Sequence, residues 1–275
     1  MQKYAFFYIW VLTNLFSWYT IRLQTRRMPF SKWQEGINMP HINKKRPNTR
    51  LQIIQLAAHL FIMEGYSKTT INKIAKTLDV SPGNVTFYFP SKDHLLAELV
   101  NELFDFQDML MVQEAAEGKS SLLAYCLELT SIAAICEEDE VTRDFFTSCY
   151  SSGLILDLIR RNDTEKTKAV FGEYRPDWTD VEWAATENIV SGIEYATIMT
   201  NEEDTPLAMQ IEKALDAIMM LYGVPADLRK VKIEKVLAMD YRALGRRILG
   251  EFKEYIDKVN EENLKKSLSD RRSRR

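Results

Sequence analysis

From Arg50 onward, apolar residues recur at three- and four-residue intervals, the period of a helix with one buried face. Arg50 to Glu64 carries Ile54, Ala57, Ala58, Phe61 and Ile62 on such a face, and Gly65 follows where a helix ends at positive φ. Tyr66 is placed to fold back onto the last turn. Thr69 or Thr70 then caps a second helix whose inward residues are Ile71, Ile74, Ala75 and Leu78. Ala75 is small enough to let its helix cross a neighbour closely. The turn is Leu78-Asp79-Val80, and Asp tolerates the left-handed conformation that such a turn requires. Ser81 caps a third helix with Pro82 at its first position, where a missing N–H costs nothing. Val85 and Phe89 face inward on that helix, whereas Asn84 and Thr86 project the other way. Ser91 caps the next helix, and Asp93 is favourable in its first turn.

Two short helices joined by a tight turn can set one of them in the major groove of DNA. The stretch Thr69–Lys92, TTINKIAKTLDVSPGNVTFYFPSK, resembles the DNA-binding head of the tetracycline-repressor (TetR) family, and the resemblance extends over roughly Asn48 to Leu103. The motif proper covers about residues 70–89. The resemblance implies that Ser81, Pro82, Gly83, Asn84 and Thr86 fall at base-facing positions, and Thr70, Tyr88 and Lys92 at phosphate-facing ones. An Asn amide can pair two-pronged with adenine, and a Thr methyl can touch the thymine methyl. Two residues depart from the family's pattern. Asp79 stands where Gly is usual, and Pro82 where a polar or basic residue is common.

Beyond the head the periodicity predicts helices over Lys92–Ala116, Ser121–Glu137, Val141–Arg160, Asp177–Thr200, Pro206–Tyr222 and Ala226 to about Leu264. Asn162–Lys168 is polar and reads as a loop or a frayed helix. No run reads as strands, so the fold class is all-α: a three-helix head followed by a helical body. The resemblance implies a ligand cavity in that body and a four-helix dimer interface. Residues suited to lining a cavity include Leu103, Phe104, Tyr125, Leu129, Phe145, Trp178, Trp183, Tyr195 and Met199, although each suits ordinary core packing as well. Glu128 or Glu194 could balance a cationic ligand. For the dimer, Trp178–Thr200 and Leu207–Tyr222 are the first choice and the long C-terminal helix the rival.

Charge sharpens this division. His41–His94 holds eight Lys or Arg against three acids, whereas residues 95–270 carry a net charge of −16 in a chain whose total is −3. A basic head on an acidic body suits phosphate binding by the head alone. Cys126, Cys136 and Cys149 are odd in number and lack CxxC spacing, which fits buried thiols in a reducing compartment, not a disulfide frame or a zinc site. His41, His59 and His94 offer no metal pattern. No glycine-rich phosphate loop and no nucleophile paired with a spare His is found, so neither enzyme activity nor a cofactor is expected.

The organisation expected is a leader (1–40), a DNA-binding head (41–103), a regulatory and dimerisation body (104–265) and a basic tail (266–275). In the leader, Tyr4–Ile21 is eighteen uncharged residues, eight of them aromatic, and as a helix would span about 27 Å. It reads either as a membrane anchor with its C-terminal side cytoplasmic or as the product of a start placed ahead of Met28 or Met39. The basic run Asn43–Arg50 can reach phosphates or the minor groove, or serve only solubility. The functional expectation is a cytoplasmic, nucleoid-associated, homodimeric repressor that binds an inverted-repeat operator in double-stranded DNA and answers to a small-molecule effector. The rival expectation keeps the fold and replaces the effector by a protein partner, as a co-activator or DNA-organising adaptor.

Overall fold

Local signals begin and end the helices of the head. Thr70 caps α2 (Ile71–Thr77), its Oγ1 accepting from Lys73 N at 3.1 Å, and Ser81 caps α3 (Pro82–Tyr88), accepting from Asn84 N at 3.2 Å. Each cap is worth about 1 kcal/mol. The helix before them, α1 (Thr49–Met63), is followed by Gly65 at φ +100°, and Asp79 takes φ +53° in the turn between α2 and α3. Val85 and Phe89 are buried, as is Ala75, where α2 crosses α3. Ser91 precedes α4 (Lys92–Ala116) as expected, but its hydroxyl lies 2.8 Å from His94 Nδ1, a side-chain contact in place of the expected backbone cap.

The computed structural model describes residues 49–116, 121–199 and 205–272. The aromatic segment Tyr4–Ile21, the basic run as far as Asn48 and the final three residues of the tail lie outside these. Among the described residues there are eleven α-helices and no strand. After α4 come α5 (Ser121–Glu138), α6 (Glu140–Ser151), α7 (Gly153–Phe171), a 3₁₀ turn (Gly172–Tyr174), α8 (Asp180–Met199), α9 (Leu207–Leu221), α10 (Ala226–Leu237) and α11 (Tyr241–Arg272). None of them is long and apolar enough to cross a membrane.

Helix α5 is the hub. It packs on α4 and on every helix from α6 to α11, which is why thirteen of its eighteen residues are buried and its apolar positions run around the whole cylinder. One core joins the head to α4, to Phe145 and Cys149 of α6, to Ile155 and Ile159 of α7, and to Phe252 and Ile256 of α11. A second core holds α5 against α8, α9 and α10, with Phe171 stacked on Tyr222 at 4.4 Å and Trp183 beside it. Where α11 meets α5, a Cβ on Gly245 would stand 2.7 Å from Ile135 Cγ2 and 2.8 Å from the Ser131 carbonyl oxygen, so glycine is what allows that approach.

Three element boundaries differ from the sequence reading. The stretch predicted as one helix over Val141–Arg160 is broken at Ser152, whose backbone is extended, and α7 then runs unbroken through Asn162–Lys168. That polar segment is helical because Val170 and Phe171 beyond it are buried, while the Thr164 and Thr167 hydroxyls bond back to the Arg160 and Asp163 carbonyls. The helix predicted from Ala226 is divided at Ala238–Asp240, where Asp240 Oδ1 accepts from Ala243 N at 3.0 Å and starts α11. Helix α8 opens at a capping box: Thr179 N donates to Glu182 Oε2 at 2.7 Å, and Glu182 N to Thr179 Oγ1 at 3.4 Å.

Candidate functional site

The outer face of the head is built on α3. With Val85 and Phe89 turned inward, Ser81, Pro82, Gly83 and Thr86 are exposed and Asn84 is half-buried. The Ser81 and Thr70 hydroxyl oxygens each accept a backbone N–H, which leaves both O–H groups able to donate outward. Among the described residues the Asn84 side-chain amide has no hydrogen-bond partner, so both its donor and its acceptor are available. The Thr86 hydroxyl is turned back to the Pro82 and Gly83 carbonyls at 3.3 Å, and its methyl is the group left for contact. A Cβ at Gly83 would meet only Ser81 Oγ at 3.9 Å, an ordinary contact, so nothing within the protein requires glycine there.

Tyr88 is half-buried and packs edge-on against Phe87 at 5.2 Å. Phe87 is 49% exposed on the same helix. Sequence reasoning missed it because an aromatic beside two core positions looks like more core; its place opposite Val85 and Phe89 on the helical period was the available signal. Several cations are already engaged. Arg50 pairs with Glu98 at 2.6 Å and lies over the Phe89 ring, and Lys73 pairs with Glu64. Lys68 and Lys76 are exposed and make no ion pair with a described residue.

Lys92 occupies a more involved position than a phosphate contact requires. Its Nζ donates to the Tyr66 carbonyl at 2.8 Å and sits 3.7 Å from the centre of the Tyr66 ring. Burial lowers its pKa, against the attraction of Asp144 and Asp93. The Tyr66 hydroxyl donates to Asp93, whose other oxygen accepts from Ser152 Oγ at 2.8 Å. Burial first, then Asp93, raises the Tyr66 pKa. Asp144 of α6 accepts from Ser67 N at 2.8 Å and from the Ser67 hydroxyl. The turn after α1 is thereby tied to α6 and to the start of α7 by charged hydrogen bonds that the sequence alone did not reveal.

Two adjoining cavities lie in the body. The first, of about 90 Å³, is almost wholly apolar, with Leu103, Phe106, Leu127, Phe145 and Phe252 in its wall. The second, of about 60 Å³, has Phe104, Tyr125, Leu129, Asp163, Lys166 and Glu194 in its wall. Leu103, Phe104, Tyr125, Leu129 and Phe145 thus line cavities as anticipated. Trp178 and Trp183 stack in the second core instead, Tyr195 packs near Tyr150 at 6.0 Å, and Met199 is exposed. Glu194 accepts from Tyr125 at 3.2 Å and Tyr150 at 3.0 Å, and Glu128 is paired with Lys166. Glu187 accepts from Tyr222 at 2.8 Å through Oε2, while its buried Oε1 has no partner. Asp163, Glu187 and Glu194 each bring a carboxylate oxygen within 4.8 Å of the others, a set able to hold a hard cation. Glu187 and Glu194 share a face of α8 seven residues apart, and Asp163 comes from α7. The group contains no His or Cys, so the spacing of those residues does not reveal it. Burial first, then the neighbouring carboxylates, pushes Glu187 up to about 9 and Glu194 up to about 8. Cys126, Cys136 and Cys149 are buried and free, and burial pushes the first two up to about 12.

Residues 53–99 match the family model for bacterial regulatory proteins of the tetR family. The chain is 36% identical over 78 residues to YuxN of Bacillus subtilis, an HTH-type transcriptional regulator, a match covering 28% of this chain and 27% of that one. It is 37% identical over 54 residues to the HTH-type transcriptional regulator QacR of Staphylococcus aureus, covering 20% and 29%. The matched part therefore spans less than a third of either relative. Among solved structures, the TetR-family repressor FadR of Thermus thermophilus, in complex with lauroyl-CoA, is 17% identical with a TM-score of 0.48, over 62% of this chain and 93% of that one. The capped helix–turn–helix head is thus similar to that of bacterial regulators of the tetR family, by that family model and by those relatives.

Proposed function

We propose that the protein is a homodimeric repressor that binds an inverted-repeat operator through α3 and releases it when the body takes up a small molecule. The observation that carries the reading is the outward set on α3. A rod of seven residues, about 10 Å long, is held from behind by Val85 and Phe89 and offers Ser81, Gly83, Asn84 and Thr86 to a groove about 12 Å wide. Asn84 and the Thr86 methyl read base edges. Ser81 donates toward the base edges, Gly83 and Pro82 allow close approach, and Thr70 and Tyr88 donate to phosphates along with the unpaired Lys68 and Lys76. Lys92 acts chiefly by holding Tyr66 and the α4 entrance in place.

The effector reading rests on α6. Val141, Phe145 and Phe146 of this helix face the apolar cavity, and Asp144 between them grips the head's turn. A ligand that moves α6 therefore acts on the head by a route separate from α4. Coupling of about 1–3 kcal/mol, or about 5–150-fold in DNA affinity, suffices for regulation. Dimerisation through α8 and α9 is supported by their exposed apolar residues, Val181, Ile189, Met199, Met209 and Met220, whereas α11 turns Phe252 and Ile256 into its own chain. Selection of bound duplexes from random DNA, with sedimentation of the complex, tests the reading. Two-fold inverted half-sites with two chains bound are expected; recovery of unrelated sequences, or of a single half-site with one chain, contradicts it.

A further inference from the structure

The polar cavity and the apolar chamber adjoin: Leu103, Gln107, Glu128, Ile132 and Phe146 belong to the walls of both. We propose that together they form one site for an amphiphilic organic cation, its ammonium among Asp163, Glu187 and Glu194 and its hydrocarbon part in the chamber. The proposal rests on the effector reading above and names the chemical class of that effector.

Charge points to a cation. Three carboxylates line the polar cavity, those of Glu128, Asp163 and Glu194, with Glu187 behind them; the one ammonium in the wall, Lys166, is already paired with Glu128. Tyr125, Tyr150 and Tyr222 donate to Glu194 and Glu187, and Gln107 donates to Glu128 at 2.8 Å. Glu187 is 0% exposed and its Oε1 has no hydrogen-bond donor, an arrangement that ordinarily costs folding energy. An incoming N–H would supply the missing donor.

Geometry fits an ammonium. Three acceptor oxygens about 2.8 Å from a tetrahedral nitrogen stand about 4.6 Å apart, and the three carboxylate oxygens here lie within 4.8 Å of one another. A bare metal ion would leave the adjoining apolar chamber without a role, whereas an alkyl or aryl amine occupies both. Because burial keeps Glu187 and Glu194 protonated near neutral pH, an arriving ammonium displaces protons.

The test uses the full chain without DNA, so its outcome is independent of whether the protein represses anything. Octylamine, octanol and octanoate are titrated calorimetrically in two buffers of different ionisation enthalpy, against wild type, Glu187→Gln and Glu194→Gln. Octylamine is expected to bind about ten-fold or more tighter than octanol, with octanoate weakest and protons released on amine binding. Either Gln variant is expected to weaken octylamine about ten-fold and leave octanol within about two-fold. The proposal is overturned if octanoate binds as well as octylamine or if none of the three binds. Loss of octylamine and octanol alike in both variants overturns it too, as does occupation of the cluster by Mg²⁺ or Mn²⁺ without competition from octylamine. Amine binding that leaves operator affinity unchanged would uphold the site and remove the regulatory reading.

Discussion

The head and the body are both bundles of helices, yet they are held by interactions of different range. In the head, Thr70 acts on Lys73, Ser81 on Asn84, and Asp79 on its own backbone. In the body, Glu194 is satisfied by Tyr125 and Tyr150, Lys166 by Glu128, and one oxygen of Glu187 by Tyr222, partners 35 to 69 positions apart. Local control suits a surface that must meet DNA in one fixed shape, because nothing distant can easily distort α3. Long-range control would suit a chamber that, in the proposed reading, takes up a small molecule. The contrast breaks down at one place: the head's core is continuous with α6, α7 and α11, and Asp144 and Ser152 fasten the turn after α1 to the body.

That continuity can be attacked directly. Phe61 is fully buried in the shared core, so Phe61→Ala should cost about 3–5 kcal/mol in urea unfolding and lower the stability of head and body together in one transition. Two separated transitions, with only the first moved, would show the head to be an independent unit. The body's buried carboxyls give the next effect. Their pKa values are raised on folding from about 4.5 to about 9 and about 8, so the folded chain holds more protons than the unfolded one in between. Their contribution is fully present below about pH 4.5 and is lost as pH rises through 8 to 9. The melting temperature should accordingly fall between pH 5 and 9, and Glu187→Gln should flatten that fall. A slope unchanged in the variant would place the titration elsewhere.

On the DNA side the effects are smaller and more selective. Asn84→Ala should alter preference at one base pair by about 1–3 kcal/mol, whereas Tyr88→Phe should weaken all duplexes alike. Measuring both against a panel of single-base variants separates reading from anchoring. Smallest of all, Ser81→Ala should cost about 1 kcal/mol of stability through the lost cap, seen by thermal melting, with no effect on the body's pH slope.

What the sequence made legible follows the same division. The head's helices, both caps, the left-handed Asp79 and the inward Val85 and Phe89 were readable because each depends on residues three or four positions away. Helix α4 was readable end to end for the same reason. The break at Ser152 and the helical course of Asn162–Lys168 were not, since burial of Val170 and Phe171 outweighs the local polarity. Nor was the engagement of Lys92: its position announces a basic residue at a helix entrance, but not that the Tyr66 carbonyl and ring lie beneath it. The carboxylate cluster was invisible because it is assembled from two helices with no spacing motif. Glu194 and Glu128 stood out only as two acids among many.

Competition between one selected duplex and its scrambled counterpart, titrated with the purified chain at several salt concentrations, tests most directly whether α3 reads sequence. The account predicts binding to the selected duplex at least about 10³-fold tighter, with affinity for both falling as salt rises. Equal affinity for the two duplexes at every salt concentration would contradict it.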